Sequence, residues 1–322
     1  MRNLLYRVFL FFIPVIIFII GCEIFVRTRP NLYIQKKEQL AANADSVEIL
    51  ILGSSHAMDG VDPNQFFLYA YNFAFAGQSI HFDLKMTEKY LPVLPRLKYV
   101  ILMLDYNSLY FDHDDGRDFF YKYYFDISYK NNKFYKESLL QSFFVYKLEN
   151  TLSMMYSSIK DNRKEPLVKG WVNNAVRNDE FVSSVERNEF RAKGYNVGAK
   201  NWEGGDSVIN DLEELINLFL SKNVVPLLIT YPNYSLMNSF MDVSSVERTR
   251  SVGYEFSQKY QIPYLDFNED NSFTIEYFFN CDHLNKRGAA KLSGKINEVI
   301  MNMEEKRINI EKNIVPLSPE NP

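Results

Sequence analysis

The sequence predicts an α/β fold built around a parallel sheet. Five short apolar runs, each bounded by Gly, Pro, Asn or Asp, are typical of strands that are buried on both faces. Between several of these runs, apolar residues recur at helical spacing, and alternation of strands with helices favours a parallel sheet. The predicted strands are residues 47–52, 71–75, 99–104, 224–230 and 262–267, and the predicted helices include 81–91, 208–221 and 285–303.

Composition excludes several classes of protein. A chain of 322 residues with 47% hydrophobic content is long enough and apolar enough to bury a substantial core. The net charge is -4 and the basic residues are scattered, so a nucleic acid is not an expected partner. The only cysteines, Cys22 and Cys281, form neither a disulfide framework nor a metal-binding spacing. We expect no cofactor.

Acidic residues cluster around Gly116, but this cluster does not match a calcium-binding loop. Its glycine spacing misses the EF-hand pattern, and its flanks are not clearly paired helices. The sequence therefore predicts no metal site. The acidic residues concerned are Asp112, Asp114, Asp115 and Asp118.

The amino terminus is strongly apolar. Residues 8–22 carry no charge, and residues 4–26 reach the length of a bilayer if Arg7 and Glu23 lie near its interfaces. We predict a single-pass anchor over residues 1–26 and a cell-membrane location. Two alternatives stay open: a cleaved signal peptide, and a lipoprotein acylated at Cys22, because the residues before this cysteine resemble a lipobox.

The remaining chain divides into a stalk, a domain and a tail. Residues 27–46 are polar and charged, and their apolar residues do not recur at helical or strand spacing. They are predicted to form a stalk. Residues 47–303 are predicted to form the α/β domain, interrupted at 111–207 by an aromatic and then charged insertion. Residues 304–322 are charged and contain prolines, so we expect a disordered tail.

A candidate nucleophile follows the first predicted strand. Gly53-Ser54-Ser55-His56 stands where an open α/β sheet places its ligand crevice, at the carboxyl end of a strand. A nucleophilic serine needs a tight turn that exposes its hydroxyl and leaves nearby backbone N–H groups free for an oxyanion. The alternative is that both serines only cap a helix.

A candidate base follows the last predicted strand. His283 lies in a loop that opens the final helix and that can reach the same crevice. It could accept the Ser55 proton through one ring nitrogen while a neighbouring side chain orients the other nitrogen. Asn280 and Asp282 are the two candidates for that orienting side chain. A surface salt bridge is the alternative interpretation of His283.

These segments, with residues 72–79 after the second strand and Gly288 near the end, resemble the conserved blocks of the SGNH (GDSL-like) hydrolase superfamily. The likeness is strongest to a membrane-anchored branch of cell-envelope proteins that includes teichoic acid D-alanylation and alginate acetylation proteins. It spans residues 47–110 and 208–300. The resemblance implies a flavodoxin-like three-layer fold with strand order 2-1-3-4-5, Ser55 as nucleophile and His283 as base. It also implies an oxyanion hole formed by the N–H of Ser55 and by Gly77.

The chain departs from the family pattern at two positions. The family places an aspartate three residues before the histidine, and Asn280 stands there. An amide can orient an imidazole but cannot stabilise its charged form. In the third block the family has Gly-x-Asn-Asp, whereas this chain has Asp105-Tyr106-Asn107-Ser108. Asn107 is therefore the corresponding oxyanion-hole candidate, with a simple turn residue as the alternative.

The resemblance implies ester chemistry. We expect a serine esterase or O-acyltransferase that acts on acyl esters of envelope carbohydrate, with the domain outside the membrane. The alternative is a catalytically weak domain that binds polysaccharide or a membrane-bound acyltransferase. Asn280 and the aromatic insertion favour that alternative, and the sequence does not separate hydrolase from transferase.

Overall fold

A computed structural model describes residues 2–28, 31–111, 118–127, 167–171, 179–201 and 205–314. The chain divides into two compact units. The first comprises Met1–Glu38 and Asp114–Leu167, and the second comprises Gln39–His113 and Val168–Pro322. The second unit contains the sheet and every residue discussed below as part of the candidate site.

The second unit is built on a five-stranded sheet in which all strands are parallel. Its order, β2-β1-β3-β4-β5, is the flavodoxin-like order 2-1-3-4-5. This confirms the predicted α/β class, the parallel sheet and the strand order. The strands are β1 (Ile49–Ile51), β2 (Ala70–Asn72), β3 (Tyr99–Met103), β4 (Val225–Thr230) and β5 (Tyr264–Asp266).

Eleven α-helices are described along the chain. They are α1 (Arg2–Thr28), α2 (Leu32–Asn43), α3 (Ser55–Gly60), α4 (Ile80–Tyr90), α5 (Asp118–Phe125), α6 (Asp179–Ser183), α7 (Val185–Lys200), α8 (Ser207–Leu220), α9 (Ser235–Asn238), α10 (Val243–Tyr260) and α11 (Lys286–Ile314). The predicted helices at 81–91, 208–221 and 285–303 correspond to α4, α8 and α11.

The strands run through the core of the second unit. All residues of β1, β2 and β3 are buried, as expected for a parallel sheet covered by helices on both faces. Helices α4 and α8 pack against each other, and α11 packs against α3. The strand order reverses direction at β1, since β2 lies on one side of it and β3 on the other. Such a switch point opens a crevice at the carboxyl ends of the strands.

The first unit has its own aromatic packing. The ring of Tyr33 in α2 stacks on Phe120 and Tyr124 of α5, with centroid distances of 5.1 and 5.3 Å. The Asn31 side chain donates a hydrogen bond of 2.9 Å to the Tyr124 hydroxyl. Stacked aromatic pairs and a satisfied hydroxyl are the contacts expected of a small packed cluster.

Several boundaries differ from those that the sequence predicts. Helix α2 lies within the segment predicted as an irregular stalk, and α11 continues past Met303 to Ile314. Part of the predicted insertion forms α6 and α7, whereas its residues 112–117, 128–166, 172–178 and 202–204 lie outside the described residues. Three of the four acidic residues near Gly116 also lie outside the described residues. The same is true of residues 315–322 in the predicted tail.

The transmembrane helix predicted for residues 1–26 is not found. Helix α1 covers this segment and contains Pro14, but no helix in the described parts of the chain combines the length and apolarity that a membrane span requires.

Candidate active site

A tight turn after β1 presents Ser55. Gly53 has a φ of +124°, a backbone conformation that side chains with a Cβ rarely adopt. A Cβ at this position would lie 2.6 Å from the Cβ of Met103, so glycine is required sterically as well. The turn leads directly into α3, whose first residue is Ser55. Helix α3 therefore begins with the candidate nucleophile.

The neighbouring serine has a different role. Ser54 occupies the position before α3, but its side chain makes no capping hydrogen bond. Its hydroxyl lies 3.1 Å from the sulfur of Met103 instead. The capping interpretation of the two serines is therefore not what the structure shows, because neither hydroxyl caps α3.

The buried carboxylate of Asp83 stabilises the turn at Gly53. Asp83 of α4 accepts a 3.0 Å hydrogen bond from the backbone N–H of Gly53 and a 2.5 Å bond from the amide of Gln78. Burial raises the pKa of Asp83 to about 7, although these two hydrogen bonds act to lower it. The carboxylate links the Gly53 turn to the Gln78 loop after β2.

Asn72, at the end of β2, fixes α3 against the sheet. Its fully buried side-chain amide donates 2.9 Å hydrogen bonds to the carbonyl oxygens of Ala57 and Val61. Its side-chain oxygen accepts a bond from the N–H of Ala74. One asparagine therefore satisfies the end of the short helix that carries Ser55.

The loop after β5 presents His283. The side-chain oxygen of Asn280 accepts hydrogen bonds from the backbone N–H groups of Asp282, at 3.0 Å, and His283, at 2.8 Å. The N–H of Phe279 donates to the carbonyl oxygen of His283 at 3.0 Å and closes the loop. Asn280 is thus the residue that shapes the turn, as asparagine commonly does through its side chain.

The next residues anchor this loop to α11. The Asn285 side chain accepts hydrogen bonds from the N–H groups of Arg287 and Gly288, at the first turn of α11. Its amide donates to the carbonyl oxygens of Glu276 and Phe278. A Cβ on Gly288 would lie 2.2 Å from the carbonyl oxygen of Tyr277, so this close approach requires glycine.

The structure brings Ser55 and His283 together. The Ser55 Oγ lies 2.8 Å from Nε2 of His283. The other ring nitrogen, Nδ1, lies 2.8 Å from Oδ1 of Asp282 and 3.2 Å from the side-chain oxygen of Asn280. The Asn280 oxygen already accepts two backbone bonds, so the geometry favours Asp282 as the orienting group. A carboxylate in the same loop as Asn280 therefore makes the shorter contact with the His283 ring.

Asp282 is fully buried and has several partners. Its Oδ2 accepts a 2.6 Å bond from Nε of Arg191 and a 2.8 Å bond from the hydroxyl of Tyr195, both on α7. Burial acts to raise the pKa of Asp282, but the imidazoles of His283 and His56 outweigh it and hold that pKa well below its usual range. Asp282 is therefore ionised at neutral pH.

His56, directly after the candidate nucleophile, lies between two carboxylates. Its Nδ1 contacts Oδ2 of Asp105, and its Nε2 lies 3.6 Å from Oδ2 of Asp282. The other oxygen of Asp105 accepts a 2.7 Å bond from the N–H of Tyr231. Burial acts to lower the pKa of His56, but the two carboxylates outweigh it and raise that pKa to about 10.

The oxyanion-hole candidates lie on two further loops. Gly77 has a φ of +71° in the turn that Gln78 closes through its N–H bond to Phe75. Asn107 follows β3 and its side-chain oxygen is buried without a hydrogen-bond partner among the described residues. The N–H of Ser55 lies at the start of α3, where helical N–H groups lack partners within the helix. The place of these three residues in an oxyanion hole stays a prediction.

One cluster has the spacing of a metal site. Ligand atoms of His56, Asp282 and His283 lie within 4.8 Å of one another. Arg191 already donates to the same carboxylate of Asp282, and a protonated His56 has no free nitrogen lone pair. These charges oppose a cation, so we describe the cluster as an acid-base network.

The sequence does not single out several members of this network. Arg191 and Tyr195 lie one helical turn apart on the same face of α7, within the predicted insertion. No motif marks them, and only packing brings α7 to the loop after β5. The histidine of Gly53-Ser54-Ser55-His56 was visible as part of a motif, but its partner Asp105 is far away in the sequence.

Comparisons with known proteins give a distant likeness to solved structures but no match to a protein family. No protein-family model matches the chain, and no curated protein matches it. Among solved structures, the chain is similar to a "putative acylhydrolase" from Bacteroides fragilis. The two share 10% sequence identity with a TM-score of 0.42, and the match covers 85% of this chain and 99% of that one. A likeness of this size carries no argument about activity.

Proposed function

We propose that the chain is a serine esterase or O-acyltransferase, with Ser55 as nucleophile, His283 as general base and Asp282 as the orienting carboxylate. The observation that carries this proposal is the continuous hydrogen-bonded line from Ser55 Oγ through the His283 ring to Asp282, with 2.8 Å at each step. A serine hydroxyl is a weak nucleophile until a positioned base accepts its proton.

The reaction follows from this geometry. His283 Nε2 accepts the hydroxyl proton as Ser55 Oγ attacks the carbonyl carbon of an ester, which gives a tetrahedral oxyanion. Asp282 stabilises the imidazolium through Nδ1. His283 then returns the proton to the leaving alkoxide, and the acyl group remains on Ser55. Water or a sugar hydroxyl, deprotonated by His283, takes the acyl group and restores the serine.

A neighbouring cavity supports a carbohydrate as substrate. Its volume is about 410 Å³ and Asp282 forms part of its wall. Two aromatic rings, Phe181 and Phe190, offer faces on which a sugar ring can pack, and Phe190 is 79% exposed. Arg187 and Arg191 add positive charge to the same wall. This combination fits an acylated sugar that carries an acidic group, and the resemblance to envelope proteins motivates a substrate in the cell envelope.

The nucleophile is tested on the 322-residue chain with a fluorophosphonate probe and with p-nitrophenyl acetate. We expect covalent labelling and ester hydrolysis, both abolished by Ser55→Ala and strongly reduced by His283→Ala. Ser54→Ala is the matched control, since it removes the adjacent hydroxyl that contacts Met103, and it should still label. Labelling that survives Ser55→Ala, or that disappears equally in Ser54→Ala, would contradict the assignment.

A second candidate function is a catalytically weak domain that binds polysaccharide or a membrane-bound acyltransferase. The pairing of Asp282 with Arg191 favours it, because the guanidinium neutralises part of the carboxylate charge that would stabilise the His283 imidazolium. A folded wild-type chain that neither labels nor hydrolyses, but binds an acidic polysaccharide, would select this candidate. Turnover that depends on Ser55 would exclude it.

A further inference from the structure

A second cavity lies at the edge of the sheet opposite the candidate active site. Its volume is about 520 Å³, and it is lined by the loop before β3, by the residues before β4 and by Arg307 of α11. Tyr99 and Val225, the first residues of these two neighbouring strands, are partners in the sheet and both form part of its wall. Ser55 and His283 instead follow the carboxyl ends of strands, so the chemistry proposed above does not use this cavity.

The wall of this cavity is strongly basic. Among the described residues that line it, four are cations and none carries a carboxylate. The cations are Arg96, Lys98, Lys222 and Arg307. The whole chain has a net charge of -4, so the overall charge of the protein does not explain this local excess. A concave wall of one sign concentrates its field and attracts ions of the opposite charge.

Two carboxylates outside the cavity offset part of this charge, and Glu48 is the first of them. Its Oε1 lies 3.0 Å from Nζ of Lys98 and 3.7 Å from Nη2 of Arg96. Burial acts to raise the pKa of Glu48, but its hydrogen bonds and the charges of these two cations outweigh burial and lower that pKa. Glu48 is therefore ionised at neutral pH.

Glu304 supplies the second carboxylate. Its oxygens lie 3.6 Å from Nζ of Lys98 and 3.4 Å from Nη1 of Arg307. Its Oε1 also accepts a 2.8 Å hydrogen bond from the Tyr99 hydroxyl, which fixes its position. Lys222 forms no ion pair with any residue that the structure describes. Four cations are thus paired with two carboxylates, which leaves an excess of two positive charges around the cavity.

The residue types in this wall suit a phosphate group. A guanidinium can donate two parallel N–H bonds to phosphate oxygens, and a lysine ammonium adds a compact positive charge. Glu48 and Glu304 already restrain Lys98 and the two arginines, so less side-chain freedom is lost when an anion binds. A volume of about 520 Å³ lies in the range of small-molecule sites and is larger than a monatomic anion requires.

We propose that this cavity binds a phosphate-bearing anion through the guanidinium groups of Arg96 and Arg307 and the ammonium groups of Lys98 and Lys222. A phosphate ester carries close to two negative charges at neutral pH, which matches the excess of positive charge in the wall. A soluble phosphate ester and the headgroup of an anionic lipid offer the same chemistry. The inference goes beyond the proposed function, because it involves neither Ser55 nor His283.

The site is tested by isothermal titration calorimetry of the 322-residue chain with inorganic pyrophosphate at constant ionic strength. We expect saturable binding of one pyrophosphate per chain. Lys222→Gln should weaken this binding by about 10-fold or more, because a charged hydrogen bond to the anion is lost. Lys200→Gln is the matched control, since Lys200 is an exposed lysine of α7 that does not line the cavity.

Three results would overturn the proposal. They are an absence of saturable binding to the wild-type chain, an unchanged affinity in Lys222→Gln, and equal weakening in Lys222→Gln and Lys200→Gln. The first result needs no variant, so it does not depend on whether a substituted chain folds. Ser55→Ala should bind pyrophosphate as the wild-type chain does. Failure of the proposed esterase activity is therefore distinguishable from failure of this inference.

A vesicle experiment distinguishes the two sources of the phosphate. Cosedimentation with phosphatidylglycerol vesicles is measured for the wild-type chain, Lys222→Gln and Lys200→Gln. If the ligand is a lipid headgroup, Lys222→Gln should reduce binding to these vesicles and Lys200→Gln should not. If the ligand is soluble, only the binding of pyrophosphate should depend on Lys222. Either result, together with the expected calorimetry, supports a phosphate site in this cavity.

Discussion

Nδ1 of His283 lies 2.8 Å from Oδ1 of Asp282, the residue directly before it in the chain. The family pattern would place the orienting carboxylate three residues earlier, where Asn280 stands. Asn280 instead shapes the loop, because its side-chain oxygen accepts the N–H groups of both following residues. Within this loop, Asn280 therefore stabilises the turn, and Asp282 supplies the negative charge beside the His283 ring.

Asp282→Asn should lower kcat by about 10⁴-fold, because an amide cannot stabilise the imidazolium and can favour the wrong tautomer of His283. Asn280→Asp should change kcat much less, since a side-chain oxygen at this position continues to accept the two backbone hydrogen bonds. The rates of ester hydrolysis and of fluorophosphonate labelling measure the effect of each substitution. The reverse ranking, with Asn280→Asp much more active than wild type and Asp282→Asn unchanged, would show that Asn280 is the orienting residue.

Asn72→Leu should destabilise the second unit and reduce activity. The substitution removes the amide that donates to the carbonyl oxygens of Ala57 and Val61. The Ala57 oxygen keeps the N–H of Val61 as a donor. The expected cost is therefore about 1–3 kcal/mol for the unsatisfied Val61 oxygen and about 0.5–1.5 kcal/mol for the lost bond to Ala57. Thermal unfolding and kcat/KM measure the two effects. The control is Asn217→Leu, which removes an exposed side chain from α8 and should change neither strongly. Equal effects of the two variants would contradict the role assigned to Asn72.

Gly53→Ala should damage the turn that carries Ser55. The added Cβ would meet the Cβ of Met103 at 2.6 Å, and the φ of +124° is strained for alanine. We expect a lower melting temperature and loss of fluorophosphonate labelling. Gly194→Ala is the matched control, because a Cβ there meets nothing within 4 Å on α7 and should stabilise that helix by up to about 1 kcal/mol. A fully active Gly53→Ala variant would contradict this account.

Asp83→Asn should change how stability depends on pH. Burial raises the pKa of Asp83 from 3.8 to about 7 in the folded chain, so the folded state holds a proton that the unfolded state has already released above pH 4. The contribution of this group to stability is complete below pH 4 and falls as the pH rises through 7. The asparagine variant has no ionisable group at this position, so its stability does not fall with pH in this way. Its side-chain oxygen still accepts the hydrogen bond from the N–H of Gly53.

The difference in melting temperature between Asp83→Asn and wild type should therefore grow from pH 4 to pH 8, in favour of the variant. The corresponding free energy is at most about 4 kcal/mol. Glu213→Gln is a suitable control, because Glu213 forms its ion pair with Lys259 at the surface. A difference between Asp83→Asn and wild type that stays constant over this range would rule out the raised pKa.

Arg187→Ala should weaken binding of acidic substrates at the cavity beside Asp282. The guanidinium lies 4.0 Å from the centroid of the Phe181 ring and forms part of the cavity wall. Loss of a charged hydrogen-bond donor should raise KM for esters that carry a carboxylate by about 10-fold or more, and leave neutral esters unchanged. Lys193→Ala removes an exposed cation from the same helix as a control. Equal changes for acidic and neutral esters would exclude an anion subsite.

Local patterns were sufficient to predict the sheet. The five apolar runs are short, because a strand crosses the core in a few residues, and their lack of alternation indicates burial on both faces. Four of the five described strands, β1, β3, β4 and β5, lie within the predicted ranges, and β2 overlaps its range only at Tyr71 and Asn72. The apolar residues along one face of α8, which include Leu212 and Phe219, likewise predict a helix.

Other elements could not be predicted in this way. Helix α10 was missed because its buried residues are mostly small or polar, such as Ser245, Thr249 and Gly253. Helix α2 was missed because its residues show no clean apolar period. For both helices, tertiary contacts rather than the local pattern supply most of the stabilisation.

The sequence by itself determined the strand order through family resemblance, and it determined that Ser55 and His283 follow strands whose carboxyl ends meet at one edge of the sheet. Only the tertiary structure shows which side chain lies nearer to Nδ1 of His283, since the oxygens of Asn280 and Asp282 are 3.2 and 2.8 Å from it. It also decided the charges around that carboxylate, because Arg191, Tyr195 and the His56–Asp105 pair reach it from elements far apart in the chain. Electrostatic coupling depends on distance in space and on burial, and neither is encoded in a local sequence pattern.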